Sequence, residues 1–182
     1  LVGGANTLTA AYDIDNSLRF EKADSALLSD AITSTASSWT VSYWIKMADL
    51  SGGTMYPWSF GASGQGTGQS IGESLAYYDN EGGEVLIRDT TILLRDPSAW
   101  YHIVCKNDGG TITNYINNSS VSTGSSGQPL LNSTFYVGRF AGTAYHWSGY
   151  ISEFYFIDGT AYSPSTFAET DSDSGIWKPK SA

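Results

Sequence analysis

The 182-residue sequence contains very little cysteine and little positive charge. Its single cysteine, Cys105, cannot form an intramolecular disulfide, so a disulfide framework is excluded. Nine Lys and Arg residues stand against eighteen Asp and Glu residues, and the resulting net charge of −9 repels phosphate backbones and anionic membrane surfaces. The sequence therefore predicts that nucleic acid is not a partner.

Long hydrophobic runs are also missing. No apolar run approaches the roughly 20 residues that cross a bilayer, and the N-terminus lacks the basic and then apolar segments of a signal peptide. We therefore expect no membrane insertion. The sequence starts at Leu1 without a methionine and ends in "WKPKSA", and from this we expect a piece of a longer polypeptide.

Helix signals are scarce, whereas glycine and turn residues are abundant, a balance typical of an all-β domain. The clearest strand is "SSWTVSYWIKMA", in which alternating apolar residues share one face: Trp39, Val41, Tyr43, Ile45 and Met47. Trp44 interrupts the polar face of this strand. We expect another segment of the chain to cover it, with a lipid or sugar contact as the alternative.

The segment "DPSAWYHIVCKNDGGTITNYINN", residues 96–118, predicts a β-hairpin, because Asp-Gly between two alternating runs favours a tight turn. Cys105 lies among apolar neighbours, so we expect a small core residue rather than a nucleophile. His102 is expected to be structural for the same reason. Asn114 lies on the apolar face of the second strand and, if it is buried, needs hydrogen-bond partners.

Further strand-like runs occur about every ten residues: "NSLRFE", "ESLAYYD", "EVLIRD", "TFYVGRF" and "YISEFYFIDG". This spacing predicts an antiparallel two-sheet jelly-roll sandwich over residues 17–159, preceded by an N-terminal segment or linker at 1–16. The glycine-rich stretch "SFGASGQGTGQSIG" is expected to be a long loop. Residues 160–182 form a polar tail that Phe167 and Trp177 should pin to the sandwich, and the tail could lead to a further domain.

Six motifs occur in a fixed order between residues 17 and about 159: "SLRFE", "SWTVSYWIKMA", "SFG", "WYHIVCKNDGGTITNYINN", "FYVGRF" and "WSGYISEFYFIDG". Together they resemble the laminin-G-like, concanavalin A-like lectin/glucanase domains, and the resemblance implies the jelly-roll fold. "LRDPSAWYHIV" and the tail resemble domains in structural proteins of tailed, especially marine, bacteriophages. That resemblance implies a unit of a longer tail or capsid polypeptide at the virion surface. The implied partners are cell-surface glycan or other virion proteins, further copies of the chain included.

Catalysis on this fold would require paired acids. Retaining glycosidases hold two carboxylates roughly 5 Å apart, and the resemblance to glucanases implies a Glu-x-Asp-x-Glu or Glu-x-Asp-x-x-Glu strand. Glu169-Thr-Asp171-Ser-Asp173 lacks the final glutamate and lies in the tail, and Glu153 has no obvious acidic partner. We therefore expect no catalytic residues, with a polysaccharide hydrolase or lyase on the same fold as the alternative.

A calcium site would require several converging oxygen ligands. The resemblance to pentraxins implies ligands just after the strand matching "FYVG", but this sequence has Gly138-Arg139-Phe140-Ala141 there. "DSDSG" at 171–175 lacks the third acid and the distal glutamate of a calcium loop. Two strands with a glycine turn explain "YYDNEGGE" at 77–84 as well as a metal does. No metal or other cofactor is therefore predicted, with calcium as an alternative that no motif supports.

Aromatic residues near predicted strand ends are the candidates for sugar contact, since rings cover the C–H faces of sugars while polar groups fix the hydroxyls. They are Tyr56 and Trp58 in "TMYPWSF", and Tyr145, His146 and Trp147 in "AGTAYHWSGY". The alternative is that Trp58 and Trp147 plug the rim of the sandwich. The sequence thus favours a non-catalytic virion module acting in adhesion or assembly, with the hydrolase or lyase as the competing hypothesis.

Overall fold

The computed structural model describes residues 15–51, 53–62, 65–72, 74–80, 85–88, 91–126, 133–142 and 145–181. The strands within these ranges are β1 Leu18–Phe20, β2 Leu28–Ile32, β3 Trp39–Met47, β4 Met55–Ala62, β5 Gln65–Ile71, β6 Leu75–Asp79, β7 Val85–Arg88, β8 Tyr101–Asp108, β9 Thr111–Ile116, β10 Ser119–Ser125, β11 Ser133–Val137, β12 Gly149–Asp158, β13 Ala168–Thr170 and β14 Trp177–Pro179. The helical segments in these ranges are two 3-10 turns of three residues, Lys22–Asp24 and Pro164–Thr166. A helix that could cross a membrane is therefore not found in the described ranges.

The strands form two six-stranded antiparallel sheets and a small hairpin. Sheet I has the order β1-β12-β3-β8-β9-β10, sheet II has the order β2-β11-β4-β5-β6-β7, and β13 pairs with β14. Sequence neighbours such as β3 and β4 lie in different sheets, whereas β3 pairs with the distant β12. This architecture confirms the predicted all-β jelly-roll sandwich.

The core lies between the two sheets and is rich in aromatic rings. The predicted apolar face of β3 points into it, and Trp39, Tyr43 and Ile45 are fully buried there. Trp39 meets Trp58 of sheet II edge-to-face, with ring centroids 5.8 Å apart. Such edge-to-face pairs add stabilisation beyond the buried area, so these two indoles fix how the sheets face each other.

The predicted hairpin is confirmed as β8 and β9. Gly109 and Gly110 form its turn with φ of +56° and +96°, the backbone region that a two-residue type I′ turn requires. Cys105 is buried in the core, as expected. Asn114 is buried too, and it finds the partners it needs, because its Oδ1 accepts from Gln69 Nε2 and its Nδ2 donates to Ser122 Oγ.

The expectation of a long glycine-rich loop at residues 59–72 is wrong, because most of this stretch belongs to the paired strands β4 and β5. The glycines serve close packing. A Cβ on Gly66 would lie 2.7 Å from the Cβ of Ala141, and a Cβ on Gly68 would lie 2.7 Å from the Trp58 carbonyl oxygen. Glycine here lets the segment after β11 lie directly on the outside of sheet II.

The C-terminal tail packs on the outer face of sheet I, as predicted. Phe167 is buried, and Trp177 Nε1 donates a hydrogen bond to His102 Nδ1 at 3.0 Å. His102 also stacks on Trp44, with ring centroids 5.0 Å apart. Trp44 is therefore buried as expected, and His102 has a structural role between β3 and the tail.

Candidate functional site

A groove of about 510 Å³ lies on the outer face of sheet II, the face turned away from the core. The strands β4 to β7 and the segments that join them provide its lining residues. These are Thr54, Tyr56, Ser70, Gly72, Ser74, Ala76, Tyr78, Leu86, Arg88 and Leu93.

Strand register explains why these residues meet. Ala76 of β6 lies opposite Ser70 of β5 on one side and opposite Arg88 of β7 on the other. Because residues directly opposite in a sheet point to the same face, the three side chains form one row across the groove. The methyl group of Ala76 projects only a short distance from the sheet, which leaves space for a ligand between Ser70 and Arg88.

Residues 138–142 and 145–148 flank the groove with a second group of aromatic rings. Gly138 N donates to the Pro57 carbonyl and Tyr56 N donates to the Tyr145 carbonyl, so these residues are tied to the start of β4. The Phe140 ring lies 4.6 Å from that of Tyr56 and 5.9 Å from that of Tyr78, measured between centroids. These contacts hold the two groove tyrosines in fixed positions.

Tyr145 is the exposed member of this group. Its side chain is 53% accessible, its backbone adopts a left-handed φ of +61°, and its ring lies 6.0 Å from that of Tyr56. An exposed ring beside a groove can extend an aromatic platform for a ligand. Of the two predicted ligand tyrosines, Tyr145 is exposed beside the groove, whereas Tyr56 lines the groove but is only 6% accessible.

Trp58 and Trp147, by contrast, cannot present their rings to a ligand. Both are fully buried, and Trp58 Nε1 donates to Gln69 Oε1 inside the core. The reason is strand alternation, because Trp58 and Phe60 of β4 share the inward face and stack at 6.2 Å. The prediction that these two indoles contact a sugar is therefore wrong, because both are part of the buried core. His146 is half-buried.

Sequence reasoning missed Ser70, Tyr78 and Arg88. The alternation in "LAYYD" and "VLIR" carried a usable signal, since Tyr77 and Ile87 are core residues and their neighbours must therefore face outward. The pairing of β6 with β5 and β7, which brings these side chains together, could not be predicted from the sequence.

The groove is lined by few charged residues within the described part of the chain. Among the ten described residues that line it, Arg88 is charged and none is Asp or Glu. Arg88 forms no ion pair with another described residue. The lining residues do not supply the carboxylate pair on which glycoside hydrolysis depends.

The other candidate chemical groups are committed to structure. Burial raises the pKa of the Cys105 thiol well above its ordinary value, which keeps the sulfur protonated and unreactive. Asp171 accepts hydrogen bonds from the backbone N of Asp173 and of Ser174 and pairs with Lys178 at 2.7 Å, so its carboxylate caps a turn of the tail. The described residues contain no group of three or more His, Cys, Asp or Glu side chains suited to a metal.

Comparison with known proteins identifies the family. The model of the concanavalin A-like lectin/glucanases superfamily matches residues 20–165, which is most of the sandwich. The chain belongs to this superfamily. No curated protein sequence matches the chain.

Several solved structures are similar to this chain in fold, at low sequence identity. The CBM40 domain of the Ruminococcus gnavus IT-sialidase, also solved bound to sialyllactose, has a TM-score of 0.62 at 10% identity over 72% of this chain and 81% of that one. Domain 4 of the Geobacillus stearothermophilus arabinanase AbnA, in complex with arabinotriose, has a TM-score of 0.55 at 19% identity over 71% and 64%. A heptameric pentraxin from Limulus polyphemus has a TM-score of 0.54 at 21% identity over 70% and 66%. At these identities the likeness concerns the fold.

Proposed function

We propose that this chain is a non-catalytic carbohydrate-binding module that holds glycan in the groove on the outer face of sheet II. The observation that carries the proposal is the groove itself, where Tyr56 and Tyr78 lie beside the hydroxyl of Ser70 and the guanidinium of Arg88. Aromatic surface for the sugar ring and a few fixed polar groups for its hydroxyls are the usual requirements of such a site. The CBM40 domain and AbnA domain 4, which share the fold, were solved with oligosaccharides.

Two features favour binding over hydrolysis. The described residues that line the groove include no Asp or Glu, and the groove lies on the surface of the sheet, where no carboxylate pair among these residues could act on a scissile bond. The exposed ring of Tyr145 extends the proposed site, and half-buried His146 follows it in the sequence. Trp58 and Trp147 do not contact the ligand in this proposal, because they belong to the core beneath the sheet.

The test is a glycan array followed by calorimetry with the best ligand. Tyr78→Ala should weaken binding by about 1–3 kcal/mol, the range for removing an aromatic contact. Tyr150→Ala is the matched control, since Tyr150 is also half-buried and contacts a ring, that of Trp100, but lies on β12 of sheet I. Equal binding by Tyr78→Ala and the parent, or no binding of any glycan, would contradict the proposal. Release of reducing sugar from a bound polysaccharide would favour a hydrolase instead.

The proposal extends to the setting of the module, a virion of a tailed bacteriophage. The resemblance of "LRDPSAWYHIV" and of the tail to phage structural proteins supports it. In this setting the binding unit is the sandwich at 17–159 with the docked tail at 160–182, displayed at the particle surface towards host glycan or neighbouring virion proteins. Several copies on one particle would raise the avidity of a shallow groove. Peptides of this chain in purified particles, and blocking of adsorption by the isolated module, are the expected results.

A further inference from the structure

Arg88 sets the electrostatic character of the groove. The chain as a whole carries a net charge of −9, yet the described residues that line the groove include one cation and no anion. Arg88 is exposed at the end of β7, and neither a carboxylate nor an aromatic ring of the described residues pairs with it.

The position of Arg88 relative to the tyrosines is defined by the sheet. Arg88 and Ser70 lie two strands apart, on either side of Ala76, which corresponds to about 10 Å between their backbones. Tyr78 lies two residues along β6 from Ala76 and thus borders the same space. A sugar ring resting against the tyrosine would therefore bring a substituent within reach of the guanidinium.

We infer that the preferred ligand is an anionic glycan, whose carboxylate or sulfate group pairs with Arg88 while the sugar ring lies against Tyr78. The inference rests on the proposed glycan-binding function and adds the class of sugar. The guanidinium offers a planar pair of N–H donors that matches the two oxygens of such a group, and charge-assisted bonds of this kind are the strong ones. A neutral sugar would leave that charge unmatched.

The experiment compares ligands that differ in charge alone, with the whole chain, at 0.15 M salt and in EDTA to exclude a bridging cation. Polygalacturonate against its methyl ester and sialyllactose against its carboxyl methyl ester report on carboxylates, and carrageenan against desulfated carrageenan reports on sulfates. We expect at least one acidic member to bind about tenfold or more tightly than its neutral partner. Arg88→Gln should remove this preference by weakening binding of the acidic member about tenfold, whereas the neutral member, which can lose only a hydrogen bond to Arg88, should weaken much less. Arg88→Lys should retain part of it, because the charge remains without the fork.

Two controls separate a local effect from net charge. Lys106→Gln makes the same change in charge on β8 of sheet I and should leave the preference intact. Glu84 and Asp89 flank β7 in the sequence and lie outside the described residues; their combined replacement by Gln and Asn should not weaken binding of the acidic member. Weaker binding there, or a preference that survives Arg88→Gln, would overturn the inference.

Failure of this inference is distinguishable from failure of the proposed function. If acidic and neutral members bind equally and Tyr78→Ala still weakens both, the groove binds glycan but Arg88 does not select its charge. If no member of any pair binds, the proposed function and the inference fall together.

Discussion

Protonation of His102 should loosen the tail and lower the stability of the domain. His102 is buried, its Nδ1 accepts from Trp177 Nε1, and its Nε2 lies 2.9 Å from Ser42 Oγ. Because an indole N–H can only donate, Nδ1 must be unprotonated and the ring must be the neutral tautomer with its proton on Nε2. Burial lowers the pKa of His102 from 6.5 to about 4, in agreement with this geometry.

The size and sign of the effect follow from the two pKa values. Between pH 6.5 and about 4 the unfolded chain binds a proton at His102 and the folded chain does not, so the free energy of unfolding decreases as the pH falls through this interval. Each pH unit contributes about 1.4 kcal/mol, which totals about 3 kcal/mol. For a domain of this size that corresponds to a loss of about 6–12 °C in the melting temperature.

Thermal unfolding followed by circular dichroism, at pH 7 and about pH 4, would measure this loss. Carboxylates that titrate in the same interval also change the melting temperature, and comparison with a variant that lacks His102 removes their contribution. His102→Gln can still accept from Trp177 and donate to Ser42 but cannot be protonated, so its melting temperature should fall less between the two pH values. An equal fall in the parent and in His102→Gln would refute the reasoning.

The remaining predictions concern the core and the tail. Trp58→Ala should cost about 3–5 kcal/mol in urea unfolding because it opens a cavity behind the groove; a stable variant that has lost only ligand binding would contradict the burial of Trp58. Cys105→Ser should cost about 1–3 kcal/mol, the penalty for a hydroxyl in the core; labelling of the native thiol as fast as a free cysteine would count against it. Truncation after Gly159 removes the buried Phe167 ring, worth about 1.5–3 kcal/mol, and should lower the melting temperature by several degrees; an unchanged value would show that the tail contributes nothing.

Much of the fold was predictable because strand alternation is a local property. The core face of β3 and the turn of the β8–β9 hairpin follow from residue type and spacing alone. Residues 59–72 were predicted to be a loop because glycine weakens an isolated strand. Glycine is favoured within a strand only where another part of the chain approaches closely. Here that approach comes from Ala141, about 75 positions away from Gly66 in the sequence, because a Cβ on Gly66 would lie 2.7 Å from the Ala141 Cβ.

The site was less predictable than the fold. An aromatic residue in a strand contacts either the core or the solvent, and its position in the alternation decides which. The register between β4 and β5 shifts between Met55 and Trp58, which brings Tyr56 to the outer face, whereas Trp58 points inward. Ser70, Ala76 and Arg88 come from three strands, so the row they form exists only after those strands pair.

The central claim is that glycan binds on the outer face of sheet II, and the most direct measurement is an NMR titration of the ¹⁵N-labelled chain with the best ligand from the array. The account predicts that the largest shifts occur at the backbone amides of the groove row, Ser70, Ala76 and Arg88, and at neighbouring Tyr78. Shifts concentrated on sheet I around Tyr150, or at the edge of the sandwich around Leu18 and Leu28, would contradict it.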